Sequence, residues 1–133
     1  MTPFNLKIIT PEKTFFNGTT TQLIAKTTTG NVGILHGHVP YVANLVSSPM
    51  EIEVQGTLKE AALSGGFIKV APEEVIIVTN AIEWADEIDV ARAERSRQNA
   101  EERMKRHESQ KEFDRAEKKL KRALNRLMVA SKK

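Results

Sequence analysis

Cysteine is absent from all 133 residues. The fold therefore has no disulfide scaffold, no thiolate nucleophile and no cysteine-ligated metal. Also missing is any apolar run near the roughly 20 residues that a bilayer span requires. The start, Met1-Thr2-Pro3-Phe4-Asn5-Leu6-Lys7, has neither the basic opening nor the long apolar stretch of a secretory leader. These absences favour the cytoplasm. There is no G-x-x-x-x-G-K-S/T run to cradle phosphates around a metal, so nothing supports nucleotide hydrolysis. A last absence is regional: from Asp86 to Ala130 the chain contains no Gly and no Pro.

The net charge is only +3, but it is unevenly spread. Residues 1–85 carry five bases against seven acids, which leaves the excess of positive charge to residues 86–133. From Arg115 onward eight bases face Glu117 alone. A basic tail on a near-neutral body suits a polyanionic partner: a nucleotide, an acidic protein face, an anionic lipid surface or a nucleic acid.

Periodicity divides the chain at the same place. Phe4 to Thr10 begins with apolar–polar alternation and stops at Pro11. Thr20 to Lys26 is β-branched and bounded by Gly18 and Gly30, and Met50 to Val54 alternates cleanly. Leu58 to Leu63, Gly66 to Val70 and Val75 to Thr79 follow, separated by Ser64-Gly65-Gly66 and Ala71-Pro72-Glu73. Short strands with Gly and Pro between them predict an antiparallel β-sandwich or barrel over residues 1–85. Residues 86–133 are rich in strong helix formers. Phe113, Ala116, Leu120, Ala123, Leu127 and Ala130, with Leu124 beside them, recur at helical spacing as a narrow seam. The preceding segment offers Ala91, Ala93, Ala100 and Met104, and Arg106 to Gln110 reads as a turn. The expected architecture is α+β: an N-terminal antiparallel sandwich followed by a C-terminal antiparallel helical hairpin.

The hairpin has little to hold it. Its first helix presents mostly alanine, and apolar burial stabilises by only about 25 cal/mol per Å². Ordering the backbone costs about 1–2 kcal/mol per residue. The pair of helices is therefore expected to be conditionally stable, and movable unless a ligand or partner holds it.

Several motifs resemble one family. Gly30-Asn31-Val32-Gly33-Ile34-Leu35-His36-Gly37-His38-Val39-Pro40 resembles the G-x-x-G-I-L-P-G-H-x-P loop of bacterial and organellar ATP synthase epsilon subunits, with His36 where the family usually has Pro. Leu63 to Val70 resembles their S-G-G-F signature. Ile8-Ile9-Thr10-Pro11-Glu12 and Ala123-Leu124-Asn125-Arg126-Leu127 fit as well, in family order over the full length. The resemblance implies a non-catalytic subunit of the central stalk of a rotary, proton-driven ATP synthase. Its partners would be the gamma subunit, the c-ring and the alpha and beta catalytic subunits, with no nucleic acid and no insertion into the bilayer. It would lie peripherally at the cytoplasmic face of the bacterial cell membrane. The hairpin would either fold onto the sandwich or extend along the shaft. Extended, it would inhibit ATP hydrolysis through Arg115, Lys118, Lys119, Arg122 and Arg126 against the beta subunits. The loop around His38 would contact the rotor.

Ile88-Asp89-Val90-Ala91-Arg92-Ala93 is similar to the I/L-D-x-x-R-A motif of family members that bind ATP as a regulatory ligand without hydrolysing it. Asp89 suits the N-cap of the first helix, and its carboxylate is also fit to accept from an adenine amino group. Arg92 follows three residues on. Arg122 and Arg126, at i and i+4, share one face and suit a triphosphate by charge-assisted hydrogen bonds. The resemblance adds Glu83, Ile88 and Ala93 to the site, and places Asn99 where a further family arginine stands. Magnesium is compatible with such a site and not implied by it.

Other readings compete. A nucleic-acid module would use the basic tail, but that tail lacks aromatics for base stacking. A small ATP-dependent enzyme would turn over ATP on its own. His36 and His38 fall short of a metal site, Glu73-Glu74 reads as a solvated turn rather than an acid–base pair, and Trp84 reads as packing at the junction of the two halves.

Overall fold

The computed structural model describes residues 1–131, so the two terminal lysines of the basic tail, Lys132 and Lys133, fall outside it. Eight strands precede two helices: β1 (Phe4–Ile9), β2 (Thr14–Thr20), β3 (Leu23–Thr27), β4 (Gly30–Ile34), β5 (Tyr41–Val54), β6 (Thr57–Val70), β7 (Val75–Val78), β8 (Ile82–Trp84), α1 (Val90–Arg106) and α2 (Gln110–Ala130). The strands form one sheet in the order β2-β1-β7-β6-β5-β3-β4, with β8 pairing on β6. The sheet folds over its own core. Leu6 and Ile8 on β1 pack in the same buried cluster as Leu23 on β3 and Met50 and Ile52 on β5. Thr20 Oγ1 at the end of β2 donates to the backbone oxygen of Glu53 on β5 at 2.8 Å, which joins strands far apart in the sheet order.

The sandwich-plus-hairpin expectation holds, with two refinements. First, β1 pairs with β7 in parallel, from Leu6 opposite Val75 to Ile9 opposite Val78, while the other pairs are antiparallel. A parallel pair needs a long crossover, and everything between Thr10 and Glu74 supplies it. Second, Ser64-Gly65-Gly66 does not break the chain into two strands. β6 runs through it in constant register with β5, from Tyr41 opposite Val70 to Val54 opposite Thr57. The glycines instead mark where β6 changes its other neighbour, from β8 at Ala61–Leu63 to β7 at Phe67–Val70. At Gly66, φ is +122° and a Cβ would fall 2.0 Å from the Val78 oxygen. Only glycine lets the two strands pass at that point.

The helices form as their composition dictates. Asp89 caps α1, its Oδ1 accepting from the Arg92 N–H at 3.0 Å. α1 stops at His107, whose left-handed backbone (φ +43°) closes the last turn. Ser109 caps α2, accepting from the Glu112 N–H at 3.1 Å. Between α1 and α2 the buried residues are small: Ala93 and Ala100 on one side, Ala116 and Ala123 on the other. Phe113, Leu120 and Leu127 are only half-buried and Leu124 is exposed, so the seam is held mainly by its alanines. α2 rather than α1 lies against the sheet. Its last turns bury Val129 and Ala130 against Ala62 on β6 and Ile88 in the linker. The hairpin is thus folded down on the platform. Trp84 packs on the platform side of the joint, its ring 4.8 Å from that of Phe15 with the Lys59 ammonium 4.9 Å from the indole.

Candidate functional site

A cleft of about 620 Å³ opens where the hairpin meets the sandwich. Three walls build it: the turn from Thr10 to Lys13, the segment from Asn80 to Glu83 leading into β8, and the facing sides of α1 and α2. Helical spacing brings Arg92, Asn99 and Arg103 to one wall and Lys119, Arg122 and Arg126 to another. Among the described residues six cations line the cleft against two carboxylates, those of Glu12 and Glu83. Such a cleft favours a multiply charged anion.

One cross-wall ion pair is already made. The Arg126 guanidinium grips Glu83 with two bonds, Nε to Oε1 at 2.7 Å and Nη2 to Oε2 at 3.2 Å. Both side chains are largely covered, so the pair contributes about 1 kcal/mol, at the upper end for a surface bridge. It ties α2 to β8. A second tie lies one position earlier. Asn125 is buried, and its Nδ2 donates to the Leu63 oxygen on β6 at 3.1 Å. Its Oδ1 is buried with no hydrogen-bond partner among the described residues, which costs part of what the first bond contributes.

Of the residues expected to contact a nucleotide, the cleft brings together Glu83, Arg92, Arg122 and Arg126. Asp89 is exposed at the rim of α1 and occupied as its cap. Ile88 and Ala93 are buried, Ile88 beneath the end of α2, and neither lines the cleft. Of the further basic residues on α2, Lys119 lines the cleft, Lys118 points to solvent, and Arg115 is exposed and bonds Glu112 at 3.4 Å. His38 lies at the other end of the sandwich, in the loop between β4 and β5. Its Nδ1 donates to the Val39 oxygen at 2.9 Å and its ring stands edge-on to Tyr41. Exposed Leu35, Val39, Val42 and Phe67 surround this end. The sequence motif there reads as a loop, yet its first half, Gly30–Ile34, is strand β4 paired to β3. Periodicity did not single out Asn125, Lys13 or Arg103; the one signal the sequence held was for Asn125, a polar residue between the apolar Leu124 and Leu127.

Among the described residues no three His, Asp or Glu side chains gather as a metal site, and no helix is long and apolar enough to cross a membrane. A β-sandwich bearing a docked basic hairpin, with a cation-lined cleft at the joint, defines a two-module protein suited to hold an anion where its modules meet. The family model for the ATP synthase delta/epsilon chain β-sandwich domain matches residues 3–85, and that for its long α-helix domain matches residues 86–131. The ATP synthase epsilon chain of Ruminococcus albus is 55% identical over 134 residues, covering all of both chains. That of Caldanaerobacter subterraneus subsp. tengcongensis is 42% identical, over 97% of this chain and 94% of its own. This chain belongs to the ATP synthase epsilon chain family. The fold is also similar to a chain in the mitochondrial ATP synthase of Euglena gracilis in rotational state 1. There the TM-score is 0.81 at 20% identity, over 98% of this chain and 81% of that one.

Proposed function

We propose that the chain sits in the central stalk of a proton-driven ATP synthase, where its sandwich couples the membrane rotor to the catalytic head and its hairpin regulates hydrolysis. The sandwich binds the gamma subunit and, through the loop around His38, the c-ring; exposed Leu35, Val39 and Val42 at that end support the contact. The complex is held peripherally at the cytoplasmic face of the bacterial cell membrane. With the hairpin docked, ATP binds at the joint as a regulatory ligand, contacting Glu83, Asp89, Arg92, Arg122 and Arg126, with Ile88 and Ala93 shaping the backbone beside them. Undocked, the hairpin extends and sets Arg115, Lys118, Lys119, Arg122 and Arg126 against acidic surface of the catalytic beta subunits. Arg122 and Arg126 serve either state, so ATP and the beta subunits compete for them.

The observation that carries this reading is the basic cleft at the joint, which needs the hairpin docked to exist. A ligand binding only that state favours it by RT ln(1 + [L]/Kd), about 2.7 kcal/mol at one hundred times Kd. The test is ATP hydrolysis by the complex reconstituted with the full chain or with residues 115–133 removed. Truncation is expected to leave assembly intact and relieve inhibition. Equal inhibition by both forms would remove the second helix as the brake.

A further inference from the structure

The cations of α1 sit at the two ends of its cleft wall. Arg92 and Arg103 are separated by about 16 Å of helix at 1.5 Å rise per residue. Between them the wall offers only Ser96, Asn99 and Ala100, which are uncharged. The middle of the cleft therefore takes its positive charge from α2 alone unless the platform provides some.

The platform has such a residue. Lys13 ends the turn between β1 and β2 and lines the same cleft. Its backbone is held firmly. The Thr10 N–H donates to the Lys13 oxygen at 2.9 Å, and the Lys13 N–H donates to Thr10 Oγ1 at 3.1 Å. Its ammonium is not committed: among the described residues it forms no ion pair, and its one ring contact is a distant 5.9 Å to Phe15. A fixed stem with a free, flexible charged end suits a phosphate ligand.

We propose that Lys13 is a direct ligand of the triphosphate, contributed by the sandwich. This rests on the nucleotide reading given above and extends it. A triphosphate held by Lys13 from the platform and by Arg122 and Arg126 from α2 bridges the two modules. The anion then acts as a strap across the joint, not only as a clamp between the two helices.

Calorimetric titration of the full chain tests this with ATP, ADP, AMP and inorganic triphosphate against the wild type, Lys13→Gln and Lys13→Arg. Thermal melts check that each variant folds, which is expected because Lys13 is exposed. Lys13→Gln should weaken ATP and inorganic triphosphate about three- to tenfold, as for loss of one charge-assisted contact. It should weaken ADP less and AMP not at all, and Lys13→Arg should restore most of the loss. A merely structural lysine would not give an effect graded by phosphate number. Wild-type ATP affinity in Lys13→Gln overturns the Lys13 assignment and leaves the nucleotide reading intact. No binding of ATP or inorganic triphosphate to the wild type overturns both. Equal weakening of AMP and ATP also overturns the assignment, because the effect then lies away from the phosphates.

Discussion

The sandwich and the hairpin are built from different amounts of apolar side chain. The sandwich buries Leu6, Ile8, Leu23, Met50, Ile52, Leu63, Ile68 and Ile77 completely, each contributing about 1.5–3 kcal/mol. Between α1 and α2 the fully covered residues are alanines, and the contact with the sheet adds Val129, Ala130 and Ile88. Asn125 and the Glu83–Arg126 pair supply direction, at about 1 kcal/mol each. Those increments are as small as the effect of a bound ligand or a competing protein surface. The difference teaches why a switch belongs in the hairpin: a few kcal/mol decide its position while leaving the platform unmoved.

The comparison breaks most sharply at Gly66. An alanine there would bring its Cβ 2.0 Å from the Val78 oxygen and 2.8 Å from the Thr79 Cα, on a backbone with φ of +122°. Gly66→Ala should cost the sandwich about 3 kcal/mol. Because α2 rests on β6, both modules should be lost together in urea. Gly65→Ala, with φ of +80° and 3.5 Å from the Leu45 oxygen, should cost only about 1–2 kcal/mol. Comparable urea midpoints for the two variants would mean that β6 and β7 can separate at the crossing, and that the platform is less rigid than its core implies.

A smaller change should separate the modules. Asn125→Ala removes the donor to Leu63 and also the unpartnered Oδ1, so the net cost is about 1 kcal/mol. That loss falls on docking alone. Hydrogen exchange should speed up several-fold in α2 while the amides of β1, β6 and β7 keep their protection. If the strands accelerate equally, sandwich and hairpin open as one cooperative unit, and the division between platform and switch is wrong.

What was legible in the sequence follows the same division. Local signals located both helices and the turn between them: no Gly or Pro after Asp86, an acid at 89, a hydrophilic run at 106–110 that the structure narrows to 107–109. Strand β2 and the first half of β5 were not visible, since Thr14–Thr20 and Tyr41–Pro49 show no strict alternation and bury irregularly. The glycines of β6 look like a break in one dimension; only the crossing over Val78 shows them as a close approach. The parallel pairing of β1 with β7 is nonlocal and leaves no mark in either strand. At the site, the arginines of α2 were legible from their i, i+4 spacing. Lys13 was not, because its place in the cleft depends on how the hairpin folds back over a turn far away in sequence. Ile88 gave no sign in the motif of being buried beneath the end of α2.

Acid should distinguish the modules most gently. In the sandwich, the Glu53 carboxylate accepts from the Gly56 N–H, and from the Thr21 N–H and hydroxyl at 2.9 and 3.0 Å. Those bonds, that from Gly56 foremost, hold its pKa below the ordinary 4.5. In the hairpin, Glu94 is lowered chiefly by its bond to Arg97, within one helix. A carboxyl group with a depressed folded pKa adds stability that is fully present above its unfolded value and lost as pH falls through the folded one. Both contributions should thus be intact at neutral pH and fade below about 4.5, but they differ in reach. The Glu53 bonds join β5 to the end of β2 and close the sandwich, whereas Glu94 steadies α1 alone. Solvent access keeps each effect small. With Glu53→Gln, the urea midpoint of the sandwich should fall less on acidification than in the wild type, with the acid response of the helices unchanged. An undiminished fall would place the acid sensitivity of the platform elsewhere and leave Glu53 a neutral acceptor in the turn.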